Sequence, residues 1–290
     1  MKISELLKTN KPTLSFEVFP PKTDAGFESI RDAVIKIADL KPDFMSVTYG
    51  ANGGAKKYSA KIAKEIQERG TPAIAHMTCV ESDHDSLAGQ LATLKDYGIE
   101  NVLALRGDLP EDADPLLWDF QHASDLAGFI KEEGAFCVGG ACYPEKHPES
   151  VSIEEDIDCM KIKQDAGCEF FTTQMFFDNE IFYRYLFKLR AAGVTVPVIA
   201  GLMPVTNAKQ MERIMSLSQA FIPRSYVHIL DKYGDKPESL KQASIAYTTA
   251  QIVDLLSNGI NNIHIYAMNN VELAKTIQEN LSELIPSCAE

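Results

Sequence analysis

The residues of clearest chemical potential are polar ones set inside, or directly after, apolar runs. Glu17 stands in Ser15-Phe-Glu-Val-Phe-Pro-Pro21. A carboxylate inside an apolar strand loses hydration, and a desolvated carboxyl is suited to donate a proton near neutral pH. The competing role is a structural Glu bonded to backbone or to an Arg. Leu105-Arg-Gly-Asp-Leu-Pro110 places Arg106 and Asp108 on either side of Gly107. The glycine lets a ligand approach the backbone, and Asp108 can accept hydrogen bonds from a planar heterocycle. An Arg–Asp pair that only ties down a loop explains the same residues equally well. Tyr143-Pro-Glu-Lys-His-Pro148 is a rigid turn able to present a ring and an imidazole, though His147 also suits an ordinary loop. Asp156, Cys159 and Lys163 fall three and four apart, on one helix face, where Lys163 meets either a phosphate or solvent.

These residues need elements to hold them. Short β-branched and aromatic runs recur at Thr13–Pro20, Asp43–Gly50, Pro72–Cys79, Asn101–Asp108, Ala135–Pro144, Phe170–Phe177, Pro197–Pro204 and Asn262–Asn269. Most are too continuously apolar to have a wet face, the pattern of a strand buried on both sides. Helical segments lie between them, including Ala60–Arg69, Asp83–Tyr97, Ser152–Ala166 and Glu180–Ala192, with Ser152-x-x-Glu155 as a capping box. Gly70, Gly98, Gly134, Gly167, Gly193 and Gly259 each close a helical segment, where a left-handed residue turns the chain. The alternation predicts a (β/α)8 barrel over residues 1–290 as one domain, with an extra helix around Leu240–Ser257 before the last strand. A barrel's active site lies at the C-terminal strand ends. Those ends carry Glu17 in strand one, Thr48 and Tyr49 at strand two, His76 in strand three, Arg106 and Asp108 ending strand four, and Gln174 in strand six.

Composition bounds the chemistry. At 290 residues, 45% hydrophobic and 24% charged, the chain can build a full core. A net charge of −13 argues against nucleic acid as partner, yet leaves room for a small anion in a local basic pocket. The six cysteines form no Cys-x-x-Cys, and His76 and Cys79 point to opposite faces of a strand, so no metal is expected. Neither a G-x-G-x-x-G nor a Walker pattern is present. The start lacks an apolar signal core, and the uncharged stretch Ala191–Ala208 is broken by glycine and proline, so a soluble cytoplasmic protein without a membrane span is expected.

Taken together, Phe16-Glu-Val-Phe-Pro-Pro21, Ser46-Val-Thr-Tyr-Gly-Ala51, His76-Met-Thr-Cys79, Leu105-Arg-Gly-Asp-Leu-Pro110, Tyr143-Pro-Glu-Lys-His-Pro148 and Thr173-Gln-Met-Phe-Phe-Asp178 resemble the bacterial methylenetetrahydrofolate reductases, in register from about Ser15 to about Asn270. The resemblance implies a flavoenzyme that reduces 5,10-methylenetetrahydrofolate to 5-methyltetrahydrofolate, with ping-pong hydride transfer from NAD(P)H through FAD. It implies FAD contacts at Thr48, Tyr49, Ala51, His76, Arg106, Gly107, Asp108, Ala123, Tyr143, His147, Asp156 and Lys163. Glu17 matches the family's general acid, Asp108 the carboxylate near flavin and pterin, and Gln174 and Gln210 the folate contacts. A homo-oligomer is the implied assembly. Two positions depart from the family: Ile214 stands where relatives have a Phe lining the shared site, and Asn270 where an Arg contacts the folate glutamate. Two other readings compete. One is a pterin-binding methyltransferase barrel without flavin; the other is a non-catalytic folate- or flavin-binding subunit of a partner complex.

Overall fold

Strands that are apolar on both sides must be covered by helices on one face and by each other's side chains on the other. The computed structural model has this arrangement and describes residues 1–21, 23–49, 53–80, 82–109, 118–218 and 220–285. The strands β1 (Thr13–Val18), β2 (Phe44–Val47), β3 (Ala73–Thr78), β4 (Asn101–Leu105), β5 (Cys137–Cys142), β6 (Phe170–Thr173), β7 (Val198–Leu202) and β8 (Asn262–Tyr266) are parallel and pair in chain order. β8 returns to β1 and closes the barrel. A short N-terminal helix, α1 (Ile3–Leu6), precedes it. The outer ring is α2 (Phe27–Ala38), α3 (Gly53–Glu68), α4 (His84–Asp96), α5 (Ala123–Glu133), α6 (Ile153–Asp165), α7 (Asn179–Ala191), α8 (Ala208–Ser218) and α11 (Val271–Asn280).

The expected extra helix is present as α10 (Pro237–Ser257), and a second one, α9 (Arg224–Tyr233), precedes it. Several strands end sooner than their apolar runs. β4 stops at Leu105 and β6 at Thr173, so Arg106, Asp108 and Gln174 belong to the loops just past the strands rather than to the strands themselves. Five of the six helix-closing glycines have positive φ, but Gly134 lies at φ 174, an extended conformation open to any residue. The capping box is also modified. The Ser152 hydroxyl accepts from Glu155 N at 3.1 Å, while the Glu155 carboxylate reaches back to Val151 N instead of Ser152 N.

Strand periodicity divides the barrel interior into two layers. Outward residues such as Phe16, Met45, Val102, Phe171 and Ile265 pack under the helices in the main core. Inward, Phe44, Ile74, Leu103, Cys137, Phe170 and Ile199 meet Ile3 and Leu7 and form an apolar floor. Two residues further along the same strands, the inward positions become polar: Phe44 gives way to Ser46, Ile74 to His76 and Phe170 to Thr172. The floor closes the polar layer from below, and the layer opens toward the C-terminal mouth.

Candidate active site

The polar layer centres on Glu17. Register places Glu17 opposite Ser46 on β2 and Tyr266 on β8, and Ser15 opposite His264. The Glu17 side chain is 19% exposed, with His76 Nε2 at 3.6 Å and His264 Nε2 at 4.0 Å from its Oε2. His76 Nε2 is buried without a hydrogen-bond partner among the described residues. Burial holds the His76 imidazole below the ordinary histidine range, outweighing the attraction of Glu17. His264 is fixed more firmly. The Ser15 hydroxyl donates to the Ile263 carbonyl at 3.0 Å, so the 2.7 Å contact with His264 requires Nδ1 to be the donor. That tautomer leaves Nε2 to accept from Ser46 Oγ at 3.2 Å, a hydroxyl that also stands 3.5 Å from the Glu17 carboxylate.

These groups form the wall of a mouth cavity of about 270 Å³, together with Thr48, Tyr49, Tyr143 and Gln174. Gln174 is held by a bond from Met175 N to its own Oε1 at 3.0 Å. Tyr49 donates to Gln90 on α4 at 2.6 Å, and burial pushes its phenol up to about 12. Tyr266 donates to the Thr173 carbonyl. Gly201 makes room for that ring, because a Cβ there would lie 2.7 Å from the Tyr266 hydroxyl.

A groove of about 560 Å³ adjoins the mouth and shares Leu105, Ala141 and Tyr143 with it. Its lining brings together Arg106, Gly107, Asp108, Ala123, Tyr143, His147, Asp156 and Lys163, from the loops after β4 and β5, the start of α5, and the first and last turns of α6. Arg106 is not paired with Asp108; its Nη1 and Nη2 each donate to Glu149 at 2.6 Å. Gly107 has φ +95, and a Cβ would stand 3.2 Å from Thr78 Cβ, so packing against β3 demands glycine as much as ligand approach does. Lys163 is half-buried and turned onto the end of β5: its Nζ donates to the Ala141 carbonyl at 2.9 Å, and burial lowers its pKa. Asp156 is buried, accepts from Ser150 Oγ at 3.3 Å and has Oδ2 unpartnered among the described residues. Burial raises its pKa, with Lys163 opposing. His147 Nδ1 accepts from Glu149 N at 3.2 Å, so its hydrogen is on Nε2. Its ring stands edge-on to Tyr143 at 4.7 Å.

Some expected residues lie elsewhere. Gln210 lines neither the mouth nor the groove; its Oε1 accepts from Thr206 N at 3.0 Å within the β7–α8 turn. Ala51 falls outside the described residues. Ile214 is buried with Phe177, Val205, Met211 and Tyr226. Asn270 caps α11, accepting from Leu273 N at 3.0 Å. Among the described residues no group of three or more His, Cys, Asp or Glu side chains could hold a metal ion, and no helix is long and apolar enough to cross a membrane.

Sequence reasoning missed His264, Tyr266, Ser46 and Glu149. The signal for β8 was available: Asn262, His264 and Tyr266 alternate with Ile263 and Ile265, a polar inward face on a buried strand.

The sequence profile of methylenetetrahydrofolate reductase matches residues 2–282. The 5,10-methylenetetrahydrofolate reductase of Pectobacterium carotovorum subsp. carotovorum is 34% identical over 269 residues, 92% of this chain and 89% of that protein. Methylenetetrahydrofolate reductase (NADH) 1 of Zea mays is 32% identical over 295 residues, covering 97% of this chain and 50% of the maize protein. Among solved structures, an uncharacterized protein from Clostridium thermocellum that binds two copies of 5-methyl-5,6,7,8-tetrahydrofolic acid superposes with a TM-score of 0.68 at 19% identity, over 96% of this chain and 99% of that one. At that identity the likeness is one of fold.

Proposed function

The chain belongs to the methylenetetrahydrofolate reductase family and reduces 5,10-methylenetetrahydrofolate to 5-methyltetrahydrofolate; we propose that FAD in the groove and NAD(P)H as electron donor serve that reaction. One observation carries the flavin assignment. Arg106, Gly107, Asp108, Ala123, Tyr143, His147, Asp156 and Lys163, dispersed over the sequence, line one groove that opens through Tyr143 onto the cavity holding Glu17.

The donor set suits a dinucleotide. Arg106 and Lys163 supply the positive charge a diphosphate needs, and the first turn of α5 at Ala123 adds a helix N-terminus. Asp156 Oδ2, buried and unpartnered, suits a ligand hydroxyl, and the orphaned His76 Nε2 suits a polar edge at the mouth. Bound there, FAD would carry hydride from the nicotinamide to the folate.

The protein's own part is binding, orientation and a proton. In this reading nicotinamide and folate take turns in the mouth beside Glu17, the ping-pong order that the family resemblance implies. The five-membered ring of the folate must open to an iminium, and the departing nitrogen needs a proton. Glu17, the one carboxylate among the described residues that line this mouth, is placed to give it. Gln174 orients the pterin from the end of β6, and Asp108 places a negative charge at the rim of the groove. Gln210 meets folate only by releasing Thr206 N.

An anaerobic visible spectrum of the purified chain tests the reading. Yellow protein that bleaches with NADH and recovers colour with methylenetetrahydrofolate is the expected result. Protein that stays colourless after incubation with FAD would overturn the flavin assignment.

A further inference from the structure

We infer that Glu149 acts as a built-in stand-in for the anionic group of the groove's ligand, so that a polyanion binds by displacing Glu149 from Arg106; the flavin form of this inference rests on the function proposed above. Arg106 presents a planar fork, and both terminal nitrogens are engaged by one carboxylate at 2.6 Å. That bidentate geometry is the one a phosphate would use. The two partners are unequally held. The Arg106 side chain is 23% exposed and its Nε also donates to the Gly107 carbonyl at 3.3 Å, whereas the Glu149 side chain is 55% exposed. The Glu149 backbone is anchored by its N–H on His147 Nδ1, and Ser150 N bonds the His147 carbonyl, so the turn stays put while the side chain can swing into water.

Charge makes the displacement necessary. Among the described residues lining the groove, Arg106 and Lys163 face five carboxylates: Asp108, Asp125, Glu149, Glu155 and Asp156. Lys163 already donates to Ala141 O. A diphosphate arriving beside an engaged Arg106 would meet a like charge within a few ångströms. Once Glu149 withdraws, the same guanidinium becomes its principal counter-charge. Glu149 thereby keeps Arg106 in its binding geometry until an anion takes its place and discriminates against ligands without a strong anion, since a neutral flavin lacking phosphate cannot compete for the fork.

The test is direct binding to apoprotein. FAD affinity is read by quenching of flavin fluorescence, and inorganic pyrophosphate affinity by calorimetry. Glu149→Gln should lower the Kd for both ligands about three- to tenfold. Glu149→Ala, which removes the competing acceptor altogether, should do at least as much. Glu154→Gln is the control: it removes the same charge from a residue paired with Lys188 and absent from the groove lining, and should leave both constants unchanged. Unchanged or weaker binding in the Glu149 variants would overturn the inference, weaker binding meaning that Glu149 only orients Arg106. Tighter pyrophosphate binding without any FAD binding would support the stand-in role and remove the flavin reading. Failure of wild type and variants to bind either ligand would remove both.

Discussion

His76 Nε2 lies 3.6 Å from the Glu17 carboxylate, buried and with no hydrogen-bond partner among the described residues. Burial favours the neutral imidazole, so this is a dipole beside a carboxyl and not a salt bridge. The consequence is that, among the described residues, Glu17 has no Lys or Arg partner. Its carboxyl lines the mouth, within reach of a ligand bound there.

Glu17→Gln should keep the flavin and its reduction by NADH, because neither depends on a proton from this residue. Folate reduction should fall by about 10²-fold or more, the usual contribution of a general acid. Stopped-flow measurement of the two half-reactions separates them, and near wild-type folate turnover would exclude the acid role.

His264→Ala should disturb both Ser15 and Ser46, which bond the two ring nitrogens. The lost bonds and the cavity should cost about 2–4 kcal/mol of stability in denaturant unfolding. The folate half-reaction should slow about tenfold while NADH reduction changes less, as Ser46 no longer holds its place beside Glu17. Equal slowing of both halves would point to general loosening of the barrel instead.

Asp108→Asn removes a negative charge from the rim of the proposed flavin site. The flavin potential, measured by dye equilibration, should rise, and folate reduction should weaken as hydride donation becomes harder. An unchanged potential would remove the electrostatic role.

Asp156→Asn should trade binding for stability. Burial raises the folded pKa of Asp156 above its unfolded value, so as pH rises the unfolded chain loses this proton first. Stability therefore falls across that interval, and the penalty is present above it. The variant should have a higher Tm than wild type at pH 7, and the gain should vanish as pH drops below the ordinary aspartate value of 3.8. Equilibrium titration should show weaker FAD binding in the same variant. A Tm difference that persists unchanged in acid would mean that the carboxylate's charge is not its source.

Much of the site was legible because its residues violate their surroundings. Glu17, His76 and Arg106 are conspicuous in or beside apolar runs, and each lines the mouth or the groove. Glu149 gave no such signal, since a glutamate after His147-Pro148 looks like any exposed loop residue. Its meaning arises only when the turn after β5 folds back across the end of β4 and meets Arg106. Lys163 shows the converse. Its spacing was compatible with a solvated helix face, and burial against Ala141 O decided otherwise.

The sequence by itself determined the architecture: strand runs of continuous apolarity and helix-closing glycines at regular intervals admit a closed parallel barrel and little else, because local patterning suffices to set element type and order. The inward polar layer above an apolar floor was likewise written in strand alternation, although on β8 it went unread. Only the tertiary structure decided which partners those polar groups take. Whether Arg106 meets Asp108 or Glu149, which nitrogen of His264 carries the hydrogen, and whether Gln210 faces the mouth or its own turn depend on distances between segments far apart in the chain. A hydrogen bond is won or lost within about half an ångström, a precision that periodicity does not carry.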